Sequence, residues 1–330
     1  MRASDILVKR CVFCVFDINL PYVNLTEVAL GMDDQQGKFV YQLMTKYYDD
    51  INAKKAEFTD EDFLGELLAK GENPFESFVT FAADEIHHMM INNPEIQQGS
   101  GIFIWAVMGE EEHIMFFKLN YQAGFICQLA EDGLVNWKRN TKIIPAASKK
   151  CTEYLYINLA SNKVKISDFN CYVDSEKCNY LADKICKLQQ QRSEKETVES
   201  ITTAIEETIQ ETYEEKAPEK ILESRQMIAN LVAEKGEISN DIVRNAIFAD
   251  NEEAQDRYTE KTVEERLPKE TVYVSNKMEK RLARKQKIVT DSGIEILVPL
   301  EYLRDPSIFE YVQDETGKIC IMIKDAGQLM

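Results

Sequence analysis

Two apolar runs, "GIFIWAVMG" and "EHIMFFKLNY", stand almost back to back between residues 101 and 121, separated only by Gly109 and a short acidic step. Runs of this length and composition, joined by a glycine-containing turn, specify an antiparallel β-hairpin with an acidic tip. Whatever else the chain forms must be built around that pair. Further strands are expected at 5–18, which is rich in Ile, Val, Phe and Cys, and at "FICQLA", "TKIIP" and "EYLYINLA".

Helices are expected before the hairpin. In "GKFVYQLMTKYYDDINAKKAEF", Phe39, Leu43, Tyr47 and Ile51 recur at four-residue spacing, which predicts a helix. In "NPFESFVTFAADEIHHMMINNPEI", Phe75, Phe78, Val79, Ala82, Ile86 and Met89 share one helical face. Asn73 supplies an N-cap, Pro74 occupies the first turn, and Asn92-Asn93-Pro94 ends the helix.

Near residue 175 the composition changes. From Ser193 to Leu267 there are 20 acids against 9 bases, with helical spacing at Val198, Ile201, Ile205 and Ile209. Pro218 and Gly236 are the helix breakers, so two or three helices joined by short turns are expected. Such a charge run reads first as a solvated helix face, and otherwise as a partner surface or a mimic of DNA's charge. The last 60 or so residues predict two small hairpins, around Asp291-Ser292-Gly293 and around Asp314-Glu315-Thr316-Gly317. The fold class that follows is α+β: a mainly antiparallel sheet with inserted helices, then an acidic helical region and a small C-terminal β-hairpin module. The expected division is 1–174 and 175–330.

Against a formal net charge of −18, the stretch "NKMEKRLARKQK" sets six cations, Lys277, Lys280, Arg281, Arg284, Lys285 and Lys287, against the single acid Glu279. Taken as one helix at about 100° per residue, all six fall within an arc of about 160°. Met278 and Leu282 lie together elsewhere on the wheel, as an anchor to the body, and Asn276 with Glu279 resembles a capping box. An acidic protein repels phosphate except where a local patch outweighs its global field. The six cations are therefore the candidate nucleic-acid-binding residues. The plainer alternative is that they neutralise the acidic helices upstream, within the chain or across a dimer. With no aromatic residue in the stretch, phosphate contacts would position the protein without reading bases.

Signals for chemistry are thin. Cys11 and Cys14 have a metal-pair spacing, but on a strand residues three apart face opposite ways, and no second pair completes a site. "ADEIHHMM" offers Asp84, Glu85, His87 and His88 without the two-histidine spacing of a zinc helix, and reads as an exposed helix edge. His113 stands alone, the third of three histidines. No glycine-rich phosphate loop or nucleophile elbow is present, so no catalytic residue, metal or cofactor is expected. Scattered cysteines imply reduced thiols in the cytoplasm. No apolar run reaches membrane-spanning length, no signal peptide is expected at the start, and no membrane partner is expected.

Several segments taken in order carry a resemblance. "HIMFFKLNYQAGF" after "GIFIWAVMG", then "TKIIPAASKKCTEYLYINL", then "KQKIVTDSGIEILVPLEYLRDPSIFEYVQDETGKICIMIKD" are similar to the bacterial nucleoid-associated protein family of the thirty-seven-kilodalton class. The elements Lys118-Leu119-Asn120-Tyr121 and Thr290-Asp291-Ser292-Gly293-Ile294-Glu295 are the most telling. The resemblance implies a non-enzymatic protein of the cytoplasm and nucleoid, associated with chromosome organisation. Its implied partners are double-stranded DNA and topoisomerase or other nucleoid proteins, with a homodimer left open. The rival to DNA binding is an adaptor whose acidic helices dock a basic partner without touching DNA. Where members of the family carry a basic Gly-Arg segment, this chain has "SEKCNYLADKICKL" on a helix expected from about Glu176, which shifts the expected DNA contact to 277–287.

Overall fold

A computed structural model describes residues 5–31, 34–59, 66–67, 73–129, 133, 135–269, 271–284, 286–289, 293–298, 302, 307–313 and 319–324. The chain divides into two units, 1–193 and 194–330. The division falls later than the composition change near 175, because the residues in between complete the sheet and core of the first unit.

The first unit is organised by β1 (Ile6–Phe16), β2 (Asn24–Glu27), α1 (Gln35–Tyr48), β3 (Lys54–Phe58), α2 (Pro74–Asn92), β4 (Gly99–Met108), β5 (Glu111–Asn120), β6 (Gln122–Leu129), β7 (Val135–Ile143), β8 (Glu153–Asn158) and β9 (Val164–Ser167). A small hairpin, β10 (Asn170–Val173) and β11 (Glu176–Asn179), leads through a π-helical turn, Tyr180–Ile185, to β12 (Leu188–Ser193). Eight strands form one antiparallel sheet in the order β12-β3-β9-β8-β5-β4-β1-β2.

The β4–β5 hairpin lies inside this sheet, and its near-continuous apolar runs follow from burial on both faces. Along β5, Ile114 and Phe116 enter the core beneath α2, while Met115, Phe117 and Leu119 enter the core beneath α1. Gly109 makes the two-residue turn at φ 68°, a left-handed conformation that glycine adopts without a side-chain clash. In β1 the register shifts between Val8 and Arg10, which re-aims the strand so that Cys11 enters the α1 core and Cys14 the α2 core. The two thiols thus face opposite ways, and burial pushes each up to about 12.

The Lys118-Asn120-Tyr121 element has a structural use. Lys118 sits directly opposite Glu153 across β5 and β8, and its Nζ lies 2.8 Å from Glu153 Oε1 with both side chains buried. Glu153 also accepts from Tyr180 Oη at 2.6 Å and from Asn120 Nδ2, and Lys118 donates to Asn120 Oδ1 at 2.6 Å. Tyr121 Oη pairs with Ser100 Oγ at 3.0 Å. Buried charges persist where they are paired and hydrogen-bonded in this way.

Nearby, Asp168 accepts from Ala182 N at 2.8 Å and Phe169 N at 2.7 Å. The residue as a whole is half-buried, but its carboxyl turns toward the buried π-turn, and desolvation raises it to about 7 against those backbone donors. The folded state therefore binds this proton more tightly than the unfolded chain does. Its stability should fall as pH rises from about 4 to about 7 through this group. Asp168→Asn is expected to flatten that part of the pH–stability curve in chemical denaturation; a curve with unchanged slope would show that Asp168 is not the group responsible.

The second unit contains α3 (Glu194–Thr212), α4 (Ala217–Lys235), β13 (Glu237–Ile238), α5 (Asn240–Ile247), α6 (Glu252–Glu264), β14 (Val272–Tyr273), α7 (Asn276–Arg284), β15 (Gln286–Val289), β16 (Glu295–Val298), β17 (Phe309–Gln313) and β18 (Ile319–Ile323). Ile201, Ile205 and Ile209 of α3 pack with Ile228 and Val232 of α4 and with Phe248 and Tyr258 in one core. The hairpins β15–β16 and β17–β18 contribute Val298 and Phe309 to a smaller cluster against Ala229.

Several expectations require correction. The first predicted helix stops at Tyr48, and Lys54–Phe58 is a strand, because Asp50 Oδ1 accepts from Asn52 N and forms a turn the periodicity does not register. Four α-helices, not two or three, occupy the acidic region among the described residues, with a 3-10 turn at Glu214–Lys216 between the first two. The additional starts are made by the side-chain caps Ser239 and Asn251 rather than by proline or glycine. The helix expected from Glu176 is instead β11 followed by the π-turn. His87 is buried against Asp17 O at 3.2 Å, while His88 is exposed. The turns expected at 291–292 and 314–317 lie outside the described residues.

Candidate nucleic-acid interface

The cationic stretch begins on α7, whose start is fixed from α3. Glu194 Oε1 accepts from Ser275 N at 2.7 Å and from Ser275 Oγ at 2.9 Å. Ser275 Oγ in turn accepts from Met278 N at 3.4 Å. The cap is therefore Ser275, one residue earlier than the expected Asn276, and Glu279 falls outside a capping box. Met278 is 1% exposed, and half-buried Leu282 packs against both cores of this unit. These two apolar contacts fix which side of the helix faces outward.

With that side fixed, Lys277 and Lys280 are exposed and make no ion pair among the described residues. Arg281 is also exposed, and its Nη2 lies 3.0 Å from Glu199 Oε1 of α3, an oxygen that Lys195 Nζ approaches at 3.8 Å. At about 100° per residue, Lys277, Lys280 and Arg281 span about 100° of the helix, away from Met278 and Leu282. Arg284 is the last helical residue.

The helix does not run on to 287 as the sequence predicts. Gln286 and Lys287 belong to β15, with Lys287 opposite Leu297, and Lys285 lies outside the described residues. The structure thus places four of the six cations on one short helix and a fifth on the strand that follows it.

The acids of α3 are used partly within the unit. Glu211 accepts from Arg257 at 2.5 Å and lies 3.0 Å from Lys261, and these two cations hold its carboxyl down to about 2. Glu207 meets Lys261 at 2.8 Å, and Glu206 meets Arg225 at 2.6 Å. The acidic run therefore ties α3 to α4 and α6, which plain reading as a solvated face does not capture.

Among the described residues no cluster of three or more His, Cys, Asp or Glu could hold a metal ion, and no helix is long and apolar enough to cross a membrane. One exposed feature is not signalled by the apolar pattern, the β6–β7 hairpin, where Trp137 and Arg139 share one face and Lys138 the other; aromatic and basic residues interleaved outside a core pattern are the signal that marks it.

The first unit is built on an antiparallel sheet, and the second is helical with small hairpins at its C-terminal end. The sequence model of the family described as nucleoid-associated protein YejK matches residues 18–328, and the chain belongs to that family. It is accordingly a non-catalytic, nucleoid-associated protein of the bacterial cytoplasm. Comparison with individual curated proteins gives no match.

Proposed function

We propose that the protein docks on double-stranded DNA through Lys277, Lys280, Arg281, Arg284, Lys285 and Lys287, without strong sequence preference, and so contributes to chromosome organisation. The observation that carries this reading is the burial of Met278 beneath a helix whose Lys277 and Lys280 are exposed and unpaired among the described residues. In a chain of net charge −18, such an outward patch admits a polyanion in one orientation only. Phosphate contacts from lysine and arginine position a protein on the duplex and carry no base information. Gel shifts on unrelated duplexes of equal length should give equal affinities, and a strong preference for one sequence would overturn the reading.

The Arg281–Glu199 pair favours a second reading, in which the basic helix serves assembly and the acidic helices dock a basic partner such as a topoisomerase. Size exclusion of a charge-reversed variant separates the two. Loss of an assembled species with DNA retention intact supports the adaptor.

A further inference from the structure

The large sheet carries an open groove on its α1 face. Directly opposite residues of adjacent antiparallel strands share a face, so the register sets two neighbouring rows across this part of the sheet. Thr26, Phe13 and Ile102 form one row on β2, β1 and β4. Asn24, Val15, Ser100 and Leu119 form the next, which reaches β5. Elsewhere on the same face Cys11, Ile104 and Met115 are buried in the core with α1. At the two rows the cover is incomplete: Phe13 and Phe39 are half-buried, Val15 is 38% exposed, and Ile144, just after β7, is 48% exposed. The result is a groove of about 700 Å³, with the two rows as its floor and the first turns of α1 and Ile144-Pro145-Ala146 as its remaining lining.

We infer that this groove is a binding site for an uncharged, largely apolar small molecule that carries a hydroxyl, carbonyl or amide group. Its size is the first reason. Sites for small molecules measure about 300–1,000 Å³, are mostly apolar, and hold a few polar groups that fix the ligand's orientation. A strand from a protein partner would instead pair with the free edge of β2, where backbone groups are available, and not lie over the face.

Charge sets the class of ligand. In a chain with 29% charged residues, the lining contains no Asp, Glu, Lys, Arg or His. Its one thiol, Cys14, is held neutral by burial. The start of α1 offers little to an anion, because the Asp34 carboxylate already accepts from Gly31 N at 2.8 Å and from Gly37 N. A charged ligand would lose hydration here without meeting an opposite charge. Nucleotides and other phosphorylated molecules therefore do not fit.

Hydrogen-bonding groups set the orientation. Asn24 and Thr26 on the outermost strand and Gln35 and Gln36 at the start of α1 line the groove, and all four are exposed. Among the described residues their side chains make no hydrogen bond, which leaves amide and hydroxyl donors and acceptors for a ligand. Farther in, Ser100 is already paired with Tyr121, and Ile102, Leu119 and Pro145 supply apolar surface. The ligand's apolar end accordingly lies inward and its polar group faces β2.

The site lies in the first unit, so its failure would leave the DNA reading of 277–287 untouched. The test titrates the full chain with prodan, a neutral naphthyl ketone whose emission moves to the blue in apolar surroundings. Saturation at one probe per chain is expected. Val15→Trp/Thr26→Trp fills the groove from two exposed positions and should weaken binding about 10-fold or more, because an overfilled site excludes the probe. Its circular dichroism and duplex retention should be unchanged. Trp137→Glu, on the exposed β6–β7 hairpin, should leave probe binding as in wild type. In competition, naphthalenesulfonate should displace the probe about 10-fold or more weakly than acetylnaphthalene, since its charge finds no partner. If the filled variant loses its fold, methyl spectra of the wild type decide: the probe should shift Ile102, Leu119 and Ile144, not Ile126 or Leu129. Absence of saturable binding, equal affinity in a folded filled variant, equal competition by the sulfonate, or shifts confined to the β6–β7 hairpin overturns the proposal. So does a self-associated wild type that binds no probe and that the filled variant dissociates, since a second copy would then occupy the groove.

Discussion

Replacing Glu153 by leucine is expected to lower the free energy of unfolding by about 3–5 kcal/mol, the range for removing one partner of a buried ion pair. Glu153 engages Lys118, Asn120 and Tyr180, and neither charged side chain of the pair reaches solvent. Without it, the Lys118 ammonium is left in the core with Asn120 as its remaining acceptor among the described residues. Burial already pulls Lys118 below its ordinary pKa, with Glu153 opposing that pull. The double variant Lys118→Met/Glu153→Leu should recover much of the loss, because a buried pair exchanged for apolar groups of similar volume is often neutral. Urea denaturation of the wild type, the single variant and the double variant measures all three. Equal stability of the single variant and wild type would mean that this cluster does not organise the centre of the sheet.

The second large effect concerns DNA. Lys277→Glu/Lys280→Glu is expected to weaken duplex binding by about 100-fold near 0.1 M salt, because each lost phosphate contact removes about 0.9 of a log unit at that concentration and the new carboxylates add repulsion. Both side chains are exposed and neither is paired among the described residues, so the fold should be unaffected. Arg281 is the less informative position, since its charge is shared with Glu199 and its loss would also release an acid on α3. A double variant that binds as tightly as wild type would move the DNA contact elsewhere.

Sequence and structure agree where local signals are strong. The β4–β5 runs and α2, bracketed by Asn73, Pro74 and Asn93, are legible because turn and cap chemistry coincides with the apolar pattern. Lys54–Phe58 is misread because "KKAEF" has little strand character; it is held as a strand by pairing with β9 and β12. The end of α7 is misread for the opposite reason. "RLARKQK" has good helix formers throughout, but Ile288 and Val289 are committed to pairing with Ile296 and Glu295, which draws Gln286 and Lys287 into the strand. The clustering of cations was legible from order alone. The partner of Arg281 was not, because Glu199 lies 82 residues away in sequence. The β6–β7 hairpin is only partly legible: "TKIIP" and "FICQLA" read as strands, but exposure is a tertiary property that no strand pattern encodes.

The proposed DNA contact rests on a small number of cations, concentrated at residues 277–287, that neutralise phosphates. The salt dependence of duplex binding tests it most directly. If about five of the six reach phosphates, log K should fall against log salt with a slope of roughly −4.5, and the Lys277→Glu/Lys280→Glu variant should be shallower by about 1.8. A slope near zero, or identical slopes for the two proteins, would rule this contact out.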